Sequence, residues 1–101
     1  MAIPPTSRDT ILQAIEQFRR GIRSDRWPRP GPEWMEDARH KYVIVHDGAP
    51  YPIREIVRLA VRIGTGERVV GPWDAADSAR KYVRRYGFAV APRANWRRAT
   101  R

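Results

Sequence analysis

The 101 residues carry 20 Lys and Arg against 11 Asp and Glu, a net +9, and the surplus is unevenly placed. Residues 1–77 hold twelve basic and eleven acidic side chains, whereas residues 78–101 hold eight basic (Arg80, Lys81, Arg84, Arg85, Arg93, Arg97, Arg98, Arg101) and no acidic one. The length allows one domain with one modest core, the 42% hydrophobic and 31% charged composition is globular, and the lack of Cys excludes disulfides and thiolate zinc sites.

Met1-Ala2-Ile3-Pro4-Pro5 lacks a basic segment followed by an apolar run, and no stretch approaches the roughly 20 apolar residues of a membrane span. We therefore expect a cytoplasmic protein without a membrane partner. A helix is predicted from Thr6-Ser7-Arg8-Asp9 to about Arg20, with Thr6 as its cap and Asp9 in the positive first turn. Ile11, Leu12, Ile15, Phe18 and Ile22 recur at helical spacing as its core stripe. Residues 24–38 contain three prolines and a glycine, which rules out a continuous element before Glu33. Trp27 and Trp34 in this structured loop either pack onto the body or are displayed for a ligand.

Lys41 to Asp47 (KYVIVHD) is the best strand of the chain, and Asp47-Gly48 is a favoured two-residue hairpin turn. Ala49-Pro50-Tyr51 reads as a short return strand at an edge, because Pro50 has no N–H for the ladder. A second helix is predicted from about Pro52 to Ile63, with Ile56, Leu59, Ala60 and Ile63 on the core face. Arg54, Arg58 and Arg62 follow every fourth residue, drifting about 40° per step, and form a basic stripe that Glu55 is placed to neutralise. After Gly64-Thr65-Gly66, residues 67–70 suit a short extended piece and Gly71-Pro72 lead into a third helix with Trp73 at its threshold. Asp74 or Asp77 serves its start, and Ala75, Ala76, Ala79, Tyr82, Val83 and Tyr86 form its apolar stripe. Arg80, Lys81, Arg84 and Arg85 fill the rest of that helix, and Gly87 ends it. Phe88-Ala89-Val90 is expected to be a last strand beside Lys41 to Asp47, and residues 93–101 a basic flexible tail after a domain spanning 1–92. The expected fold is a single small α+β domain, about three helices on a two- or three-stranded antiparallel sheet.

The inventory for catalysis is poor. His40 and His46, six residues apart, need a third ligand to hold a metal, and neither Asp47 nor Glu55 is followed by the lysine of a carboxylate-carboxylate-lysine nuclease. There is no glycine-rich phosphate loop, nucleophile elbow or HNH-like histidine pair. We expect a binding module without metal or cofactor, not an enzyme. A charge block of one sign calls for a polyanion, and Trp96 among the tail arginines suits backbone contact plus stacking on bases. The candidate phosphate contacts are Arg54, Arg58, Arg62, Arg80, Lys81, Arg84, Arg85, Arg93, Arg97 and Arg98. Tyr42, Tyr51, Trp34 and Trp73, near loop-to-element junctions, are candidates to hold a base, with core packing as the alternative for each.

The run from Lys41 to Arg54 (KYVIVHDGAPYPIR), the helix through Ala60 and the closing Tyr86-Gly87-Phe88-Ala89-Val90 resemble the N-terminal head domain of McrA-like HNH restriction endonucleases. In that family an amphipathic helix precedes a strand ending in Asp-Gly or similar, Tyr-Pro-x-Lys opens a helix, and a later helix ends in Leu-Gly-Phe-x-Val. Tyr42, Gly48, Tyr51, Pro52, Ala60, Gly87, Phe88 and Val90 coincide with the pattern, and Arg54 stands where Lys is usual. The chain departs from it at Val69-Val70-Gly71-Pro72-Trp73, where a Phe-x-Gly-Gly element is often found. The resemblance implies duplex DNA as partner, carrying modified cytosine such as 5-hydroxymethylcytosine or 5-methylcytosine, without a nuclease in this chain. Two other partners share the electrostatic argument: RNA, and an acidic protein such as a nuclease or regulatory partner met by an antirestriction module.

Overall fold

Ser7, not Thr6, starts the first helix. In the computed structural model, which describes residues 3, 5–22, 34–36, 41–66 and 76–94, the Ser7 hydroxyl accepts from the Thr10 N–H at 3.1 Å and α1 runs Arg8–Arg19. Thr6 instead donates its backbone N–H to the Tyr86 hydroxyl at 3.0 Å, so the chain before α1 is tied to the far end of the domain. Ile11, Ala14, Ile15 and Phe18 are buried as the spacing predicts. Ile22 is the exception at 41% exposed. The helix has closed before it, through Gly21 N–H to Phe18 O and Ile22 N–H to Gln17 O, so the helical stripe no longer governs where Ile22 points.

A single 3-10 turn, Trp34–Glu36, precedes the sheet. Strands β1 (Tyr42–His46) and β2 (Ala49–Pro52) form the hairpin expected at Asp47-Gly48. Both turn residues have positive φ, 51° at Asp47 and 74° at Gly48, the conformation whose twist matches that of paired strands. Strand β3 (Ala89–Pro92) pairs antiparallel with the other side of β1, with Ile44 opposite both Tyr51 and Val90, giving the order β2-β1-β3. The proline-bearing β2 is thus an edge, as its missing donors require. Val43 and Ile44 point to opposite faces by strand alternation, yet both are fully buried, so both faces of β1 are covered.

Helix α2 (Ile53–Thr65) follows β2 directly, with Pro52 as its uncapped N-cap residue and Glu55 in its first turn. It packs against α1, α3 and both hairpin strands. Ile53 and every residue from Glu55 to Val61 are buried, which makes α2 the central helix and removes the open flank that a basic stripe would need. Helix α3 (Ala76–Arg85) buries Ala79, Tyr82 and Val83, and Gly87 at φ 89° ends it. Phe88 N–H to Val83 O at 3.2 Å and Gly87 N–H to Arg84 O at 3.0 Å close that terminus. Three helices packed on a three-stranded antiparallel sheet make this a small α+β domain. No helix among the described residues is long and apolar enough to cross a membrane.

Trp27, His40, the extended piece over 67–70, Trp73, Asp74, Trp96, Arg97, Arg98 and Arg101 lie outside the described residues.

Candidate nucleic-acid interface

On α3, Arg80 and Arg84 are one turn apart, as are Lys81 and Arg85, and together they span about 140° of the helix surface. Ala79, Tyr82 and Val83 occupy the opposite arc and anchor it in the core. Lys81, Arg84 and Arg85 are exposed, and no ion pair among the described residues engages Arg84 or Arg85. Like charges one turn apart cost an isolated helix about 0.2–0.5 kcal/mol per pair, a penalty that an approaching anion removes. The placement of Arg84 and Arg85 in the last turn offsets part of it, since the helix C-terminus is the negative end of the macrodipole.

The α2 arginines have a different environment. Arg58 is buried and its Nη1 lies 3.7 Å from Oε1 of Glu55, itself only 1% exposed, so the pair is an internal feature. This corrects the reading of Arg58 as a phosphate contact: its charge is already partnered inside the domain, and exposing it would strand the Glu55 carboxylate. Arg54 and Arg62 are half-buried at the flanks. The seven cations of α2 and α3 therefore do not make one open track, and of these seven the exposed ones are Lys81, Arg84 and Arg85 on α3.

Arg93, the first residue of the predicted tail, is held at both ends. Its backbone N–H donates to Lys41 O and its Nη1 donates to Met35 O, each at 2.9 Å, which locks the end of β3 to the start of β1 and to the 3-10 turn. At least one of the five guanidinium N–H donors of Arg93 is thus spent on the fold.

Of the four rings expected to hold a base, two are core. Trp34, 8% exposed, meets Phe18 edge to face at 6.2 Å, and Phe18 meets Tyr51, 6% exposed, in the same way at the same distance. Burial pushes the Tyr51 phenol above its ordinary range, against the pull of Arg19. Tyr51 and Trp34 are consequently packing residues, because α1 delivers Phe18 between them, and the expected pocket is not assembled from them. Tyr42 differs: it is 39% exposed, and the Arg80 guanidinium lies 4.3 Å above its ring centroid. That contact joins α3 to the open end of β1, beside exposed Lys41.

The role of Arg8 escaped the sequence reading, and Glu55 was read as neutralising the basic stripe but not as buried. Arg8 donates from Nη1 to Tyr86 O at 3.0 Å and stacks 4.5 Å from the Phe88 ring centroid, clamping α1 to the end of α3. Glu55 is a fully buried carboxylate, and only its i,i+3 spacing to Arg58 hinted at the pair. His46 is half-buried, 5.9 Å from the Phe88 ring and 3.5 Å from Oδ2 of Asp47. Among the described residues no three His, Asp or Glu side chains gather as a metal site. Among the described residues, what the α3 side of the surface offers chemically is anion binding by forked guanidinium donors beside the accessible Tyr42 ring.

No family model, no curated protein and no solved structure matches the chain.

Proposed function

We propose that the chain is a DNA-binding module, not an enzyme, that acts in the cytoplasm and grips the phosphate backbone through α3. The observation that carries this reading is the exposed face of Lys81, Arg84 and Arg85, mounted on a helix whose other side is fixed in the core. The core-anchored helix fixes where these cations originate, and each one that meets a phosphate releases condensed counterions from the nucleic acid. The resemblance to the head domain of McrA-like endonucleases extends the reading to modified cytosine in duplex DNA.

The test is fluorescence anisotropy of the full chain on one labelled duplex across a salt series. Log K is expected to fall linearly with log salt, by about 0.9 for each phosphate neutralised. Arg84→Ala and Arg85→Ala should each lower that slope by about one contact and weaken all duplexes alike. An affinity insensitive to salt overturns the reading. A parallel panel of cytosine, 5-methylcytosine and 5-hydroxymethylcytosine duplexes tests base recognition, and equal binding of all three reduces the protein to a nonspecific binder.

A further inference from the structure

We infer that Tyr42, backed by Arg80, is a stacking shelf for an unpaired nucleobase, so that the preferred substrate presents a single-stranded segment beside the α3 phosphate contacts. The inference rests on the α3 phosphate-contact reading above, replaces its fully paired duplex with a substrate that has an unpaired segment, and names the residue that receives the base.

Tyr42 alternates onto the same face of β1 as Ile44, and it marks where that face leaves the core: Ile44 is fully buried while Tyr42 is 39% exposed. One side of its ring is covered by the Arg80 guanidinium at 4.3 Å, so the accessible remainder of the side chain lies away from Arg80. The stack restrains both side chains before any ligand arrives, which lowers the entropic cost of using them. Lys41 is exposed on one side along the strand, and Arg84 lies one turn beyond Arg80 on α3. A ring with cations around it suits a base flanked by its own phosphates.

The strand state follows from what surrounds the ring. A flipped base is held in a slot between two walls, and the slot repays the cost of unstacking and unpairing. Trp34 and Tyr51, two of the rings that would have built such a slot, are engaged with Phe18 in the core. Among the described residues no second ring contacts Tyr42, which keeps 39% of its surface exposed and serves as a one-sided shelf in this proposal. Stacking on one exposed face returns less than it costs to extract a paired base, so the shelf selects bases that are already unpaired.

Anisotropy with the full chain decides it, using a labelled mixed-sequence single strand and the blunt duplex of the same sequence, at fixed salt. Wild type should bind the single strand, and Tyr42→Ala should weaken that binding by roughly 5- to 150-fold, the range for loss of one stacked base. The duplex affinity should change by less than about twofold, because phosphate contacts on α3 are untouched. Tyr42→Phe keeps the ring and should retain single-strand binding, which separates stacking from any loss of fold. A single strand carrying 2-aminopurine should lose fluorescence on binding wild type and Tyr42→Phe, and keep it with Tyr42→Ala. Equal effects of Tyr42→Ala on both nucleic acids, or no effect on the single strand, overturn the shelf. If Arg84→Ala leaves both affinities unchanged, the α3 reading fails instead, whatever Tyr42 does.

Discussion

Gly87→Ala is expected to cost more in the wild-type background than in Arg8→Ala. Gly87 sits at φ 89°, a region that charges an L-residue roughly 1–2 kcal/mol. A Cβ there would also come within 2.9 Å of Nη1 of Arg8. That atom is the far end of a flexible side chain, so the helix end need not distort. Arg8 moves instead, and gives up its bond to Tyr86 O and its place over Phe88. An exposed hydrogen bond is worth about 0.5–1.5 kcal/mol and an exposed cation–π contact about 0.5–1 kcal/mol. Gly87→Ala should thus destabilise wild type by about 2–4 kcal/mol but the Arg8→Ala protein by only about 1–2 kcal/mol, the backbone part. Urea unfolding of the four proteins in a double-mutant cycle measures the difference directly, and for a domain of this size each kcal/mol also moves Tm by about 4 °C. Identical costs in the two backgrounds would falsify the clamp, and a neutral Gly87→Ala would show that the left-handed terminus of α3 is not required.

Further outcomes follow from the same packing. Burial, and secondarily the neighbouring Tyr86, pushes the Tyr82 phenol from 10.0 up to about 12, so the folded state holds that proton more tightly than the unfolded chain. The resulting stability is complete below about pH 10 and is lost as pH rises through about 12, roughly 2–3 kcal/mol in all. Alkaline unfolding curves should show this slope, and Tyr82→Phe should flatten it. Glu55→Ala leaves the Arg58 guanidinium buried without its carboxylate and should cost about 3 kcal/mol in urea unfolding. Arg58→Met should leave the salt slope of DNA binding where it was, and a lowered slope would return Arg58 to the interface. Tyr51→Ala removes a ring from the Trp34–Phe18–Tyr51 stack and should destabilise the domain by about 3–5 kcal/mol, whereas Tyr51→Phe should leave duplex binding unchanged. A loss of binding in a fully folded Tyr51→Phe protein would place its hydroxyl at the ligand.

The elements legible from the chain were those set by local chemistry. The β-branched run of β1, the Asp47-Gly48 turn and the prolines of β2 each act over two to seven residues, and the structure has them where the spacing put them. The stop of α3 at Gly87 is equally local. The first cap moved by only one residue, from Thr6 to Ser7, because both are hydroxyl residues able to serve N–H groups at a helix start. The site was harder to read. A four-residue recurrence of arginine says that Arg54, Arg58 and Arg62 lie along one side of a helix, but not what lies against that side. For α2 the answer is α1, α3 and the hairpin, which surround it and turn Arg58 inward onto Glu55.

The aromatic residues make the same division. Tyr42 and Tyr51 are alike in the sequence, each in a short strand next to a loop, and nothing local separates them. Phe18, 33 positions before Tyr51, closes over one ring, while Arg80, 38 positions after Tyr42, lies on the other and leaves it exposed. Periodicity, turn chemistry and the charge imbalance of residues 78–101 were thus determined by the sequence alone, because each depends on neighbours along the chain. Which arginines face outward, and which ring remains accessible, was decided by tertiary structure, because burial is a property of the elements that pack together and not of the residue itself.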